Sequence, residues 1–222
     1  MTRPYVMTLK SAKESLAISA GNSKMPGSTF AQDSFACNVG SRLANVKGSV
    51  CESCYARKIQ KLRPSVNMGW KSNLEKTRKW LESNPAQWVA AAVFQIRKLS
   101  GKSGQPFHRW FDSGDLDSLQ QLRAIVQVAE STPEIRHWLP TREIAIVKAY
   151  LKESTFPDNL IVRVSAPMVG DKPLSFDHTS TVHKKGESAY GHACPAPQQG
   201  NNCGDCRACW SKDVANISYC KH

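Results

Sequence analysis

The chain has 222 residues, a formal charge of +12, 41% hydrophobic residues and eight cysteines. That length supports one good core with room for an appended module, and the composition excludes a disordered or fibrous chain. No apolar run approaches a membrane span, and the first ten residues lack the apolar stretch and cleavage site of a secretory signal, so a cytoplasmic protein with no membrane partner is expected.

Residues 4–10 alternate weakly and read as a strand. Residues 20–36, rich in Gly, Ser, Asn and Pro, read as loop. The segment from Cys37 to Cys54 has little period and reads as a long loop ending at a helix start. Helices are predicted over 55–62, up to Pro64, and over 65–82, where Val66, Trp70, Leu74, Thr77 and Leu81 keep helical spacing. Asn84-Pro85 supplies a cap and a first-turn proline for a helix over 85–99. The rhythm then changes. Strands are predicted at 106–111, 135–140 and 159–165, with helices over 117–130 and 142–152 between them. Such alternation calls for parallel strands with right-handed crossovers. Residues 168–202 lack a clear period, and 217–220 form a last short strand. The expected architecture is α/β, a partial or open parallel β/α barrel over 1–167, with an irregular cysteine-rich C-terminal module over 168–222.

The cysteines carry the chemistry. Cys37, Cys51 and Cys54 form one group, Cys194, Cys203, Cys206 and Cys209 a second, and Cys220 trails behind. A reducing cytoplasm disfavours structural disulfides, so a metal or cluster is the expected use. Four cysteines in Cys-x8-Cys-x2-Cys-x2-Cys close one zinc ion or one [4Fe-4S] cluster, and the repeated x2 spacing favours iron–sulfur. His192 is an alternative ligand. In the first group, three cysteines would leave one iron of a cluster open to a small molecule; Cys37 as a plain buried hydrophobe is the competing reading. A further reading joins the groups, with Cys51 and Cys54 completing a site begun by the C-terminal cysteines, so one cluster or two remain open, as does zinc. Two four-thiolate sites would lower the net charge to about +8, still basic.

A three-cysteine loop after a first strand, then a helix and parallel β/α units, resembles a radical S-adenosylmethionine (SAM) enzyme. The Cys54-Tyr55-Ala56 ending, the Asp112-Ser113-Gly114-Asp115 turn and the Cys194-Pro195…Cys203-x2-Cys206-x2-Cys209-Trp210 tail together resemble a poorly characterised family of bacteriophage proteins with radical-SAM-like features. The resemblance implies a cluster whose open iron is chelated by SAM, which one electron cleaves to a 5′-deoxyadenosyl radical, and a second cluster in a C-terminal extension. It also implies loading by the host's iron–sulfur assembly machinery in an infected bacterium. This chain has Cys37-x13-Cys51-x2-Cys54 where the radical SAM pattern is Cys-x3-Cys-x2-Cys, and Asp112–Asp115 where that family carries Gly-Gly-Glu.

Residues at the ends of the expected parallel strands are candidate cofactor contacts: Asp112, Ser113, Gly114, Asp115, Thr141, Arg142 and Ser165. Asp115, Asp117 and Thr141 serve equally well as helix caps. Trp70, Trp80, Trp88, Trp110 and Trp138 read as core, and Trp210 as a shield beside Cys209. Eight basic residues against Glu75 alone between Arg57 and Lys79 offer a solvated face or a nucleic-acid contact. Three functions follow as expectations: an iron–sulfur protein of radical-SAM-like type, catalytic or electron-transferring; a zinc-binding, basic nucleic-acid-binding protein; or an interaction protein with a purely structural cluster.

Overall fold

The structure, a computed structural model, describes residues 6–21 and 23–221. It opens with helix α1 (Leu9–Ser15), where a strand over 4–10 was expected; residues 4 and 5 lie outside the described residues. The reason is a capping box. Thr8 Oγ1 accepts from Ser11 N, and Ser11 Oγ accepts from Thr8 N, so two end donors are satisfied locally. Strand β1 (Ile18–Ser19) pairs antiparallel with β2 (Ser28–Ala31), which lies in the expected loop 20–36. Gly27 allows β2 to lie close to the next strand: its φ is +78°, and a Cβ there would sit 1.9 Å from the Phe107 carbonyl oxygen.

The helices expected over 55–99 are present as α3 (Tyr55–Leu62), α4 (Pro64–Ser83) and α5 (Pro85–Ser103), after a short α2 (Asn38–Leu43) inside the cysteine loop. Pro64 and Pro85 occupy first turns, and Asn84 caps α5 by accepting from Gln87 N. The β/α alternation also holds: β3 (Phe107–Ser113), α6 (Leu119–Ser131), β4 (Arg136–Thr141), α7 (Ile144–Leu151) and β5 (Leu160–Val169). The chain then continues the sheet through β6 (Thr179–His183), β7 (His192–Ala193) and β8 (Asn216–Cys220). Two of these strands fall in 168–202, expected to be irregular. Ser and Thr fill most of β6, and their burial between β5 and β8 comes from pairing rather than apolar pattern.

The result is one eight-stranded sheet in the order β1-β2-β3-β4-β5-β6-β8-β7, parallel at every pairing except β1 with β2, and open rather than closed into a barrel. Helices pack one face around Phe30, Trp88, Trp110, Leu122, Ile125 and Leu139, with Trp88 stacked on Trp110 at 6.0 Å. The C-terminal loop packs against the other face. There Trp210 is buried between Phe107 and Trp138, each 5.3 Å away, and its indole donates to the His108 carbonyl.

Arg163 on β5 ties that loop down. It is fully buried and donates to the carbonyls of Ala208, Cys209, Ser211 and Val214 at 2.8–3.1 Å.

Candidate functional site

A cavity of about 480 Å³ opens where the parallel strands end. This is the edge at which open α/β sheets bind ligands, because loops diverge there and leave a crevice. The first cysteine group forms one wall. Asp33 caps a 3₁₀ turn (Ser34–Ala36) by accepting from Phe35 N, and the turn delivers Cys37 to the start of α2. Cys51 follows a bridge between Ser49 and Met168, and Cys54 stands at the N-terminus of α3. Val50 N donates to the Pro167 carbonyl and Val169 N to that of Gly48, so the loop is anchored across the sheet to β5. Val39 N donates to Glu143 Oε1, a second anchor from α2 to the start of α7.

Gly40 separates two of the sulfurs. A Cβ at this position would lie 3.7 Å from both Cys37 Sγ and Cys51 Sγ, and 3.0 Å from Cys37 Cβ. The glycine therefore keeps open the space between the two thiols. Burial raises the pKa of Cys37, and negative charge on Asp115, Cys54 and Cys51 raises it further. Burial raises Cys51 as well, while Arg142 and Arg57 pull it down. Cys37 and Cys51 are therefore harder to ionise than an ordinary thiol, and a metal bound there would have to displace their protons.

The strand-end residues converge on the same cavity. Asp112, Ser113, Gly114, Asp115, Arg142 and Ser165 line it together with Cys37, Cys51 and Cys54. Phe111 sits at φ +54°, a left-handed conformation unusual for an aromatic residue, at the end of β3 where Asp112 enters the lining. Gly114, at φ +83°, has no room for a side chain: a Cβ would meet Gln32 Cγ at 2.5 Å. Asp115 is buried and uses both oxygens, accepting from Thr141 Oγ1 at 2.6 Å, Leu116 N at 2.8 Å and Arg142 N at 2.9 Å. Burial raises its pKa against the pull of those three donors. It joins the end of β3 to the end of β4. Thr141 reaches the site only through Asp115. Helix α6 is capped by Ser118, while Asp117 pairs with Arg78 at 2.5 Å.

The second group gathers beyond β8. Cys194 N donates to Ser218 O, and Cys203 N to Lys24 O. Cys203 interacts electrostatically with Cys194 and Cys206, and Cys209 with Cys194, which places the four thiols in one neighbourhood. His192 Nε2 lies 3.6 Å from Cys206 Sγ. Cys209 Sγ lies 3.4 Å from Tyr219 Oη, and burial pushes its pKa up to about 11. Tyr219 also lines the first cavity, so its ring stands between the two cysteine groups. Among the described residues, no group of three or more His, Cys, Asp or Glu side chains is drawn together around a single metal position.

The donor set nevertheless fits a thiolate-bound centre: soft sulfurs, a glycine gap between two of them, and cationic Arg57 and Arg142 beside Cys51. Several lining residues were not singled out from sequence: Arg109, Trp138 as a wall, Ser180, Tyr219 and Lys221, while Tyr55 was read only in the Cys54-Tyr55-Ala56 ending and Cys220 only as a trailing cysteine. Arg57 was read only as part of the basic run. Alternation along β3, which turns Arg109 away from Trp110, was the one signal available for any of them.

Fold and site together define an open, mainly parallel α/β protein with a thiol-lined cavity at its strand ends. The chain belongs to the Gene product 88 family, whose profile matches residues 8–212. This accords with the phage-type resemblance carried by the cysteine segments. No curated protein and no solved structure matches the chain. No helix among the described residues is long and apolar enough to cross a membrane.

Proposed function

We propose that the protein binds an iron–sulfur cluster through Cys37, Cys51 and Cys54 and acts on a small molecule in the adjoining cavity, in the manner of a radical SAM enzyme. The observation that carries this reading is the convergence of those three thiols with Asp112, Asp115, Arg142 and Ser165 on one 480 Å³ cavity. That volume lies within the usual range for small-molecule sites. A three-cysteine [4Fe-4S] cluster, when bound, supplies an iron open to SAM and the electron that cleaves it. The protein's own part is positional and electrostatic. Arg57 and Arg142 offset thiolate charge beside Cys51. The loop that carries Cys51 is held to β5 by Val50 N on the Pro167 carbonyl and by Val169 N on the Gly48 carbonyl, and Asp112, paired with Arg109, adds a carboxylate to the lining. Cys194, Cys203, Cys206 and Cys209 would hold a second cluster, with Tyr219 at its border.

A second reading, a zinc protein that binds nucleic acid, draws on the exposed Lys58 and Lys61 of α3, Arg63 between the helices and Lys71 of α4, close in sequence to Leu62 and Met68, 69% and 66% exposed. Three of the eight basic residues are committed elsewhere: Arg57 in the cavity wall, Lys76 on the Lys13 carbonyl and Arg78 on Asp117.

Cys51→Ala tests the first reading. It is expected to remove SAM cleavage and one cluster's worth of iron while the second group stays loaded. Joint loss of both metals would mean one shared site, and full iron in the variant would overturn the assignment.

A further inference from the structure

The cavity walls hold more hydrogen-bond donors than the chain satisfies. Among the described residues, Arg57 Nε, Arg109 Nε, Arg142 Nε, Trp138 Nε1 and Ser113 Oγ are buried without a partner, and all five residues line the cavity. Guanidinium and indole N–H groups can only donate, so four of the five are relieved only by an acceptor. Leaving buried donors unmet is costly, most of all for a charged group, so their concentration around one cavity asks for a ligand.

The donors divide by place. Arg57 and Arg142 act on Cys51 and belong with the thiolates. Arg109 lies between the two cysteine groups: its electrostatic partners are Tyr55, which follows Cys54, and Asp112, and then Tyr219 and Cys209 toward the second group. Its guanidinium lies over the Trp138 ring, 4.7 Å from the centroid, which brings two orphaned donors together. Its guanidinium also meets Asp112 at 3.3 Å, Met25 Sδ at 3.8 Å and the Tyr55 hydroxyl, while Nε has no partner among the described residues. Lys221 adds a further cation to the lining from just beyond β8. Tyr55, Phe111, Trp138 and Tyr219 supply flat apolar wall.

We propose that Arg109, with the Trp138 indole and Lys221, binds the oxyanion of a small-molecule substrate, a phosphate or carboxylate carried on an apolar or aromatic body. The word substrate rests on the function proposed above; the oxyanion site itself does not. A planar guanidinium beside an indole N–H suits either oxyanion, since both present paired acceptor oxygens.

Isothermal titration of the full-length protein, purified anaerobically and with iron and zinc measured on the same sample, tests this. Adenosine monophosphate probes the phosphate arm, benzoate the carboxylate arm, and adenosine is the neutral control. One anion is expected to bind at least about tenfold more tightly than adenosine, and Arg109→Gln to lose about tenfold or more of that affinity. Arg109→Lys, which keeps the charge, recovers part of it. Lys221→Gln, at an exposed position just beyond β8, gives a smaller loss in the same direction without touching the core. Arg78→Gln, whose guanidinium lies on Asp117, binds as the wild type does. Anions no tighter than adenosine, or equal affinity in the Arg109→Gln and Lys221→Gln variants, would overturn the proposal. Tight anion binding by protein without iron would keep the oxyanion site and sink the cluster reading; full iron without anion binding would do the reverse.

Discussion

Replacing Arg163 with methionine probes how the second cysteine group is held. Arg163 is 0% exposed, and it forms no ion pair among the described residues. Burial lowers its pKa, and the nearby Tyr219 and Cys209 oppose that shift. Its stabilisation therefore comes from carbonyl oxygens, four of them between 2.8 and 3.1 Å, on the segment that carries Cys209 and Trp210. Methionine fills similar space but leaves those acceptors buried and unmet. At about 1–3 kcal/mol per acceptor the gross loss is large, and relief of the guanidinium's own desolvation offsets part of it. A net loss of about 3–5 kcal/mol is expected, from four neutral carbonyls losing their donors less the relieved desolvation of the guanidinium. At roughly 2–4 °C per kcal/mol for a domain of this size, the melting temperature should fall by about 6–20 °C. Thermal unfolding followed by circular dichroism measures it, and metal analysis of the same samples should find the second group depleted. A shift under about 2 °C with full metal content would refute the reasoning.

Three further outcomes follow from particular contacts. Gly40→Ala brings a methyl to 3.0 Å from Cys37 Cβ and into ordinary contact, at 3.7 Å, with two sulfurs, so Cys37 must shift and metal bound by the first group should drop; unchanged loading would mean that Cys37 and Cys51 do not share a centre. His108 and His137 are buried, and burial depresses both pKa values, that of His137 to about 3. Below pH 6.5 the unfolded chain takes up protons that the folded chain refuses, so stability falls as pH drops from 6.5 toward 3. Denaturant titrations between pH 6 and 4.5 should find the wild type losing about 1.4 kcal/mol per pH unit more than His137→Gln; parallel lines would mean that His137 is charged in the fold. Asp115→Asn puts an amide N–H where Thr141, Leu116 or Arg142 already donates, and should cost about 1–3 kcal/mol in chemical denaturation; a neutral result would remove Asp115 as the tie between β3 and β4.

Much of this fold is legible in the sequence where local chemistry and burial agree. Pro64 and Asn84-Pro85 mark helix starts, and Leu74, Thr77 and Leu81 line the buried side of α4 as their spacing requires. β2 was hidden because Phe30 is its one large apolar residue and Gly27 beside it reads as a turn; its burial comes from neighbouring strands. β6 was hidden for the same reason, with Thr and Ser at its buried positions. At the site, the cysteine groups and the strand-end residues were visible because each is a local pattern. Arg57, Arg109, Tyr219 and Lys221 were not, since they reach one cavity from α3, β3 and the end of β8, and no spacing along the chain records such a meeting.

The central claim is that thiols at the strand ends hold iron and leave one position open to a small molecule. Iron, sulfide and zinc analysis of anaerobically purified protein, with electron paramagnetic resonance before and after SAM is added to the reduced sample, tests it most directly. About eight irons with matching sulfide, and a spectrum altered by SAM, are predicted from two cubane clusters of which one is open. Zinc without sulfide would contradict the account and leave the basic face of α3 and α4 as the feature to explain.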